Sequence, residues 1–112
     1  MKKIAATLSL IMSAACAFAA DTDYPNKAVS IVVAYAPGGQ GDVFARLVGE
    51  KLSTVYKQPV VVDNKPGVSG TVGTRVAAKA KNDGYTLLLG QTGEITVNRL
   101  LIKDMGYDPM KE

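Results

Sequence analysis

The sequence predicts an α/β fold in which three strand-helix units share one parallel sheet. Three observations carry this expectation. Apolar runs without alternation occupy residues 31–34, the core of a strand expected over 28–35, and residues 60–62 and 85–89; each is followed by a stretch suited to a helix, and the connection between them is rich in glycine or small polar residues. Parallel strands joined by right-handed crossovers place every strand-to-helix loop at the same edge of the sheet. The regions of Gly38, Gly70 and Thr92 should therefore converge where open α/β sheets bind ligands.

The first unit is the most informative. Ile31-Val32-Val33-Ala34 is apolar throughout, as befits a strand covered on both faces. Residues 35–44 then read Tyr-Ala-Pro-Gly-Gly-Gln-Gly-Asp-Val-Phe. Pro37 stops the strand, the glycines free the backbone, and Asp42 has the side chain expected of an N-cap. Amides at a helix start lack intrahelical partners and carry the positive end of the dipole, so a carboxylate or phosphate could dock there. The alternative is a tight turn with no ligand. The helix expected over 43–56 spaces Phe44, Leu47, Val48, Leu52 and Val55 as a core side, with Arg46, Glu50, Lys51 and Thr54 outside and Pro59 preventing continuation.

The second unit repeats the pattern. Val60-Val61-Val62 suits a buried strand, Asp63-Asn64-Lys65-Pro66-Gly67-Val68-Ser69-Gly70 a loop, and residues 71–81 a helix with Val72, Val76 and Ala80 on one side. The third comprises the strand 85–89, the loop Gly90-Gln91-Thr92-Gly93-Glu94 and a helix over 95–102. Should the first strand lie between the others, the crevice falls between the first and third loops. Ser69, Gln91 and Thr92 could then add neutral hydrogen bonds around a carboxylate, while Ser69 and Thr92 could equally cap their own helices.

Ahead of these units, Lys2 and Lys3 precede an apolar segment, 4–15, and the small-residue pattern Ala17-Phe18-Ala19. This reads as a secretory signal peptide, 1–19, cut after Ala19. The apolar run falls short of the ~20 residues a spanning helix needs. Lipid attachment at Cys16 would call for a large aliphatic where Ser13 stands. Without Lys2 and Lys3, eleven basic residues face ten acidic ones, a net charge of about +1 that gives no reason to expect nucleic acid as a partner. Residues 20–112 contain neither Cys nor His. That excludes a disulfide framework, His-dependent nucleophilic triads and the common Cys/His zinc sites, so no enzyme, metal or cofactor is expected.

Several pieces occur in a telling order: Tyr24-Pro25, Ala36-Pro37-Gly38-Gly39 with Asp42, Gln58-Pro59-Val60-Val61-Val62 with Asn64 and Pro66-Gly67, Asp83-Gly84-Tyr85-Thr86-Leu87-Leu88, and Tyr107-Asp108-Pro109. Together they resemble the amino-terminal part of a Bug-type extracytoplasmic solute receptor of the tripartite tricarboxylate transporter family. The resemblance implies a periplasmic protein with a two-lobed type II binding fold, small carboxylates as ligands, and membrane-embedded permease subunits as partners. It further implies that Tyr35, Ala36, Pro37, Gly38, Gly39, Gln40, Asp42, Ser69, Gly70, Gln91 and Thr92 face the ligand. Whether Asp42 touches solute directly stays open. Residues 20–112 would supply a partial first lobe, expected as a monomer, with the second lobe absent. Read as a truncated receptor, the chain should bind weakly or not at all alone, because such folds bury the ligand between two lobes.

Two other readings compete. One is a dinucleotide-binding enzyme fragment, suggested by Gly39-Gln40-Gly41 after a strand and by Asp63 at the end of the next. Phe44 stands where its third glycine belongs, and an exported chain is separated from the intracellular cofactor pool. The other is a truncated product without independent activity.

Overall fold

The structure, a computed structural model, describes residues 23–111. The expected signal peptide lies outside the described residues. Three parallel strands form one sheet in the order β2-β1-β3, with β1 at Val29–Val33, β2 at Val60–Asn64 and β3 at Thr86–Leu89. Ile31 sits opposite Val62 on one side and Leu87 on the other. The central strand is buried almost throughout, Ser30 being its half-buried member, which explains the unbroken apolar run that begins at Ile31. The edge strands are only half-buried, and Val61 is exposed, because an edge position leaves them less fully covered than β1.

The first crossover is α1, Gln40–Tyr56, which ends at Lys57 in a left-handed conformation, two residues before Pro59. Its packing corrects the expectation from spacing. Gly41, Ala45 and Gly49 are buried and Leu52 joins the core, whereas Phe44, Leu47, Val48 and Val55 are exposed, Val55 by 74%. The reason is close approach. A Cβ added at Gly49 would lie 3.4 Å from Val60 Cγ1, and one at Gly41 would lie 3.4 Å from Val33 Cγ1. Small residues four apart let the helix seat directly on the sheet, and the larger side chains are turned outward.

The second crossover behaves alike. After a short 3-10 turn, Val68–Gly70, helix α2 spans Thr71–Ala78 and buries Thr71, Gly73 and Thr74 rather than Val72 and Val76. Gly73 is indispensable for this, since a Cβ there would come within 2.7 Å of Ala34 Cα and 2.8 Å of the Lys65 carbonyl oxygen. Beyond β3, a wide helical turn at Gly93–Val97 leads into α3, Asn98–Leu101. The segment after it folds back on α2. Arg75 donates from Nε and Nη2 to the Met105 carbonyl at 3.0 and 2.7 Å, and Met105 is buried.

At the opposite end of the sheet, Tyr24 anchors the entering chain. Its hydroxyl donates to the Gly84 carbonyl, and its ring meets Tyr85 edge-on at 4.9 Å between centroids. That accounts for Tyr24-Pro25 and Gly84-Tyr85 as a matched pair of motifs remote from the loops.

Candidate functional site

The three strand-to-helix loops meet at one edge. From the first, the Tyr35 hydroxyl donates to Glu94 Oε2 in the third at 2.8 Å. The Tyr35 carbonyl accepts from Asn64 Nδ2 at the end of β2, 3.1 Å away. From the start of α3, beyond the third loop, Asn98 Nδ2 donates to the Ser69 carbonyl in the second at 2.7 Å. With β1 central, the crevice falls between the first and third loops. A cleft of about 510 Å³ lies there, with Gln40, Gly41, Gly90, Gln91, Thr92 and Gly93 on its polar side and Phe44, Val48 and Leu89 on its apolar side.

The polar side is rich in donors. The first hydrogen bond of α1 runs from the Val43 amide to the Gly39 carbonyl at 3.1 Å, so the amides of Gln40, Gly41 and Asp42 have no acceptor within the helix. Gln91 lies over this helix start: its Nε2 occupies space within 2.5 Å of where a Gly41 Cβ would stand. Free main-chain amides and a carboxamide facing one cleft can hold an anion without a cationic side chain.

Asp42 departs from its expected position. Gly39 is the N-cap and Asp42 falls in the first turn, buried, where its Oδ2 accepts from the Gly38 amide at 3.0 Å and from Arg46 Nε at 3.1 Å. Arg46 Nη2 lies 3.0 Å from Oδ1. The Arg46 guanidinium, and after it the Gly38 amide, hold this carboxyl below its ordinary value. Asp42 thus braces the turn internally and takes the Gly38 amide out of the set available to an anion.

The remaining expected site residues divide. Gln40, Gln91 and Thr92 line the cleft, while Ala36, Pro37, Gly38 and Gly39 form the exposed turn that leads into α1. Gly38 needs its left-handed φ of 84°. Tyr35 is engaged with Glu94, and burial followed by that carboxylate pushes its hydroxyl up to about 12. Gly70 is buried against the same pair, a Cβ there lying 3.1 Å from the Tyr35 hydroxyl and 3.3 Å from Glu94 Oε2. Ser69 is exposed, and neither it nor Thr92 makes a side-chain capping bond. Val68 and Ser69 both adopt positive φ, 45° and 53°, a strained pair beside the site.

Sequence reasoning missed Glu94. It is fully buried, its Oε1 accepts from the Gln91 amide at 2.6 Å, and its main-chain oxygen accepts from the Tyr107 hydroxyl at 2.7 Å. The usable signal was its offset of three from Gln91, the spacing at which a first-turn acid reaches back to a free amide. Placing the helix start at Ile95 hid it. Phe44, which stands in the place of a dinucleotide motif's third glycine, is 52% exposed and so does not crowd the packing of α1 on the sheet. Asp63, the acid on which a dinucleotide site would depend, is ion-paired to Lys65 at 3.2 Å. Among the described residues no group of three His, Cys, Asp or Glu could hold a metal ion.

A parallel α/β sheet with its strand-to-helix loops along one edge and an open cleft between the first and third is an arrangement this chain shares with solved periplasmic binding proteins. Comparison with known proteins makes this particular. Residues 44–112 match the tripartite tricarboxylate transporter family receptor, TctC, and the chain belongs to that family. Protein BugT of Bordetella pertussis is 38% identical over 94 residues, covering 83% of this chain and 28% of BugT. Among solved structures, Rpa4515 of R. palustris with adipate is 41% identical with a TM-score of 0.75, covering 78% of this chain and 29% of that one. MatC (Rpa3494) from Rhodopseudomonas palustris with bound malate is 32% identical with a TM-score of 0.73, covering 77% and 29%. The chain therefore spans less than a third of the length of these relatives.

Proposed function

We propose that this chain is the amino-terminal, ligand-holding part of a periplasmic receptor for small carboxylates that delivers its solute to the membrane-embedded permease subunits of a tripartite tricarboxylate transporter. The observation that carries the reading is the cleft between α1 and the third loop, where unpaired helix-start amides, Gln91 and Thr92 stand beside an apolar wall. A carboxylate docks on the amides, and its carbon chain lies toward Phe44, Val48 and Leu89. Relatives solved with adipate and with malate support this ligand class. Export by the amino-terminal segment agrees with it. The 112-residue chain by itself holds such a ligand weakly, because its cleft covers the ligand from one side only.

Titration of the isotope-labelled chain with malate, adipate and a neutral diol of matching length, followed by amide chemical shifts, tests the proposal. The two acids should move the amides of Gln40, Gly41, Gln91 and Thr92, and the diol should not. Shifts confined to the Tyr24 and Tyr85 end of the sheet, or equal effects of diol and acids, would defeat it.

A further inference from the structure

The cleft reading leaves the most deeply buried acid of the described structure without a task. Glu94 is 0% exposed, yet no cation bonds to it; its two oxygens are taken by the Gln91 amide at 2.6 Å and the Tyr35 hydroxyl at 2.8 Å. Resting on the proposed carboxylate-binding function, we propose that Glu94 is the positioning residue of the cleft, the clamp that holds the third loop against the first so that the Gln91 carboxamide stays over the start of α1.

The geometry is specific to this task. One oxygen grips the main chain of the residue whose side chain lines the cleft, and the other grips the residue that leads out of the central strand. A carboxyl group offers one oxygen to each donor and so accepts from both at once. Gly70 and Gly93 leave room for the pair: a Cβ at either would lie 3.1 or 3.0 Å from the Tyr35 hydroxyl. The Tyr107 hydroxyl closes the assembly from behind by donating to the Glu94 carbonyl. Glu94 does not touch ligand on this assignment. It sets where Gln91 and Thr92 stand, as a buried, fully bonded group on a rigid turn can.

The test uses the full chain and three variants. E94M keeps the bulk and removes both acceptors, E94Q keeps one acceptor and can donate to the Tyr35 oxygen, and Y35F removes the hydroxyl alone. Hydrogen exchange of the Gln91 amide, measured relative to Val32 in the central strand, should accelerate about tenfold in E94M and less in E94Q and Y35F. Malate and adipate affinities should fall about tenfold in E94M and be largely restored in E94Q, a rescue that simple loss of fold would not produce. Relative exchange at Gln91 that is unchanged in both E94Q and Y35F overturns the assignment, as does undiminished affinity in E94M. Should the unaltered chain take up neither acid, the carboxylate reading fails, and the exchange ratios still decide what Glu94 does.

Discussion

Gly41 and Gln91 share one small space: the side-chain nitrogen of Gln91 fills the volume that any Cβ on Gly41 would claim, at 2.5 Å. This couples the start of α1 to the third loop. Replacing Gly41 with Ala should therefore displace the flexible carboxamide rather than the backbone. Alanine also favours the helix by up to about 1 kcal/mol, so the net change in stability should stay within about 1 kcal/mol while the response of Gln91 to malate and adipate disappears. Urea unfolding and the amide titration together check this; a G41A chain that retains the Gln91 shifts would show the coupling to be idle.

Gly73 presents the opposite case. What a Cβ would meet there is backbone, the Ala34 Cα at 2.7 Å and the Lys65 carbonyl at 2.8 Å, and neither can swing aside. G73A should cost at least the roughly 1–3 kcal/mol of an overpacked core, despite the better helix propensity of alanine. The midpoint of chemical denaturation should drop accordingly, and a midpoint equal to that of the unaltered chain would refute the close approach.

Tyr35 predicts an alkaline weakness. Its hydroxyl is raised from 10.0 to about 12 in the folded chain, so the contribution is fully present below pH 10 and is lost as pH climbs through about 12. Stability measured across that window should fall, and Y35F should flatten the portion due to this group. Parallel curves for the two proteins would contradict the Tyr35–Glu94 pairing.

Asp42 predicts the acid counterpart. Its carboxyl is held below the ordinary 3.8, chiefly by Arg46, so the stability it gives is present above that value and lost as pH falls through the lowered one. R46A should shift this loss toward higher pH, seen as an earlier acid unfolding limb by circular dichroism. An unmoved limb would mean that the Arg46 pair contributes nothing.

The contrast between helix faces gives a further check. Val55 is 74% exposed, so Val55→Ser should alter stability by no more than about 0.5 kcal/mol, whereas Ile31→Ala in the central strand should cost about 2–5 kcal/mol. Similar penalties at both positions would reinstate the core face expected from spacing.

Much of this was legible in the chain. The unbroken apolar run at Ile31–Ala34 announced a doubly covered strand, though not its central place in the sheet, and alternation of strands with helices announced parallel pairing and loops on one edge. The helix faces were not legible, for a physical reason. Periodicity of large apolar residues marks what avoids water, but α1 and α2 seat on the sheet through Gly41, Ala45, Gly49 and Gly73, where fit rather than hydrophobicity decides. Phe44 and Val48, freed from the core, line the cleft instead. Glu94 was hidden for a related reason: an acid is expected outside, and only the hydroxyl and amide brought to it by the fold make its burial tolerable.

The donors that face the cleft are peptide nitrogens, a carboxamide and an alcohol, none of which gains or loses a proton anywhere near neutrality. On the proposed reading, mild acidification leaves these donors unchanged and acts on the solute. Binding at this cleft should then track the ionised fraction of whichever acid is offered, so that pH enters through the cargo rather than through these donors.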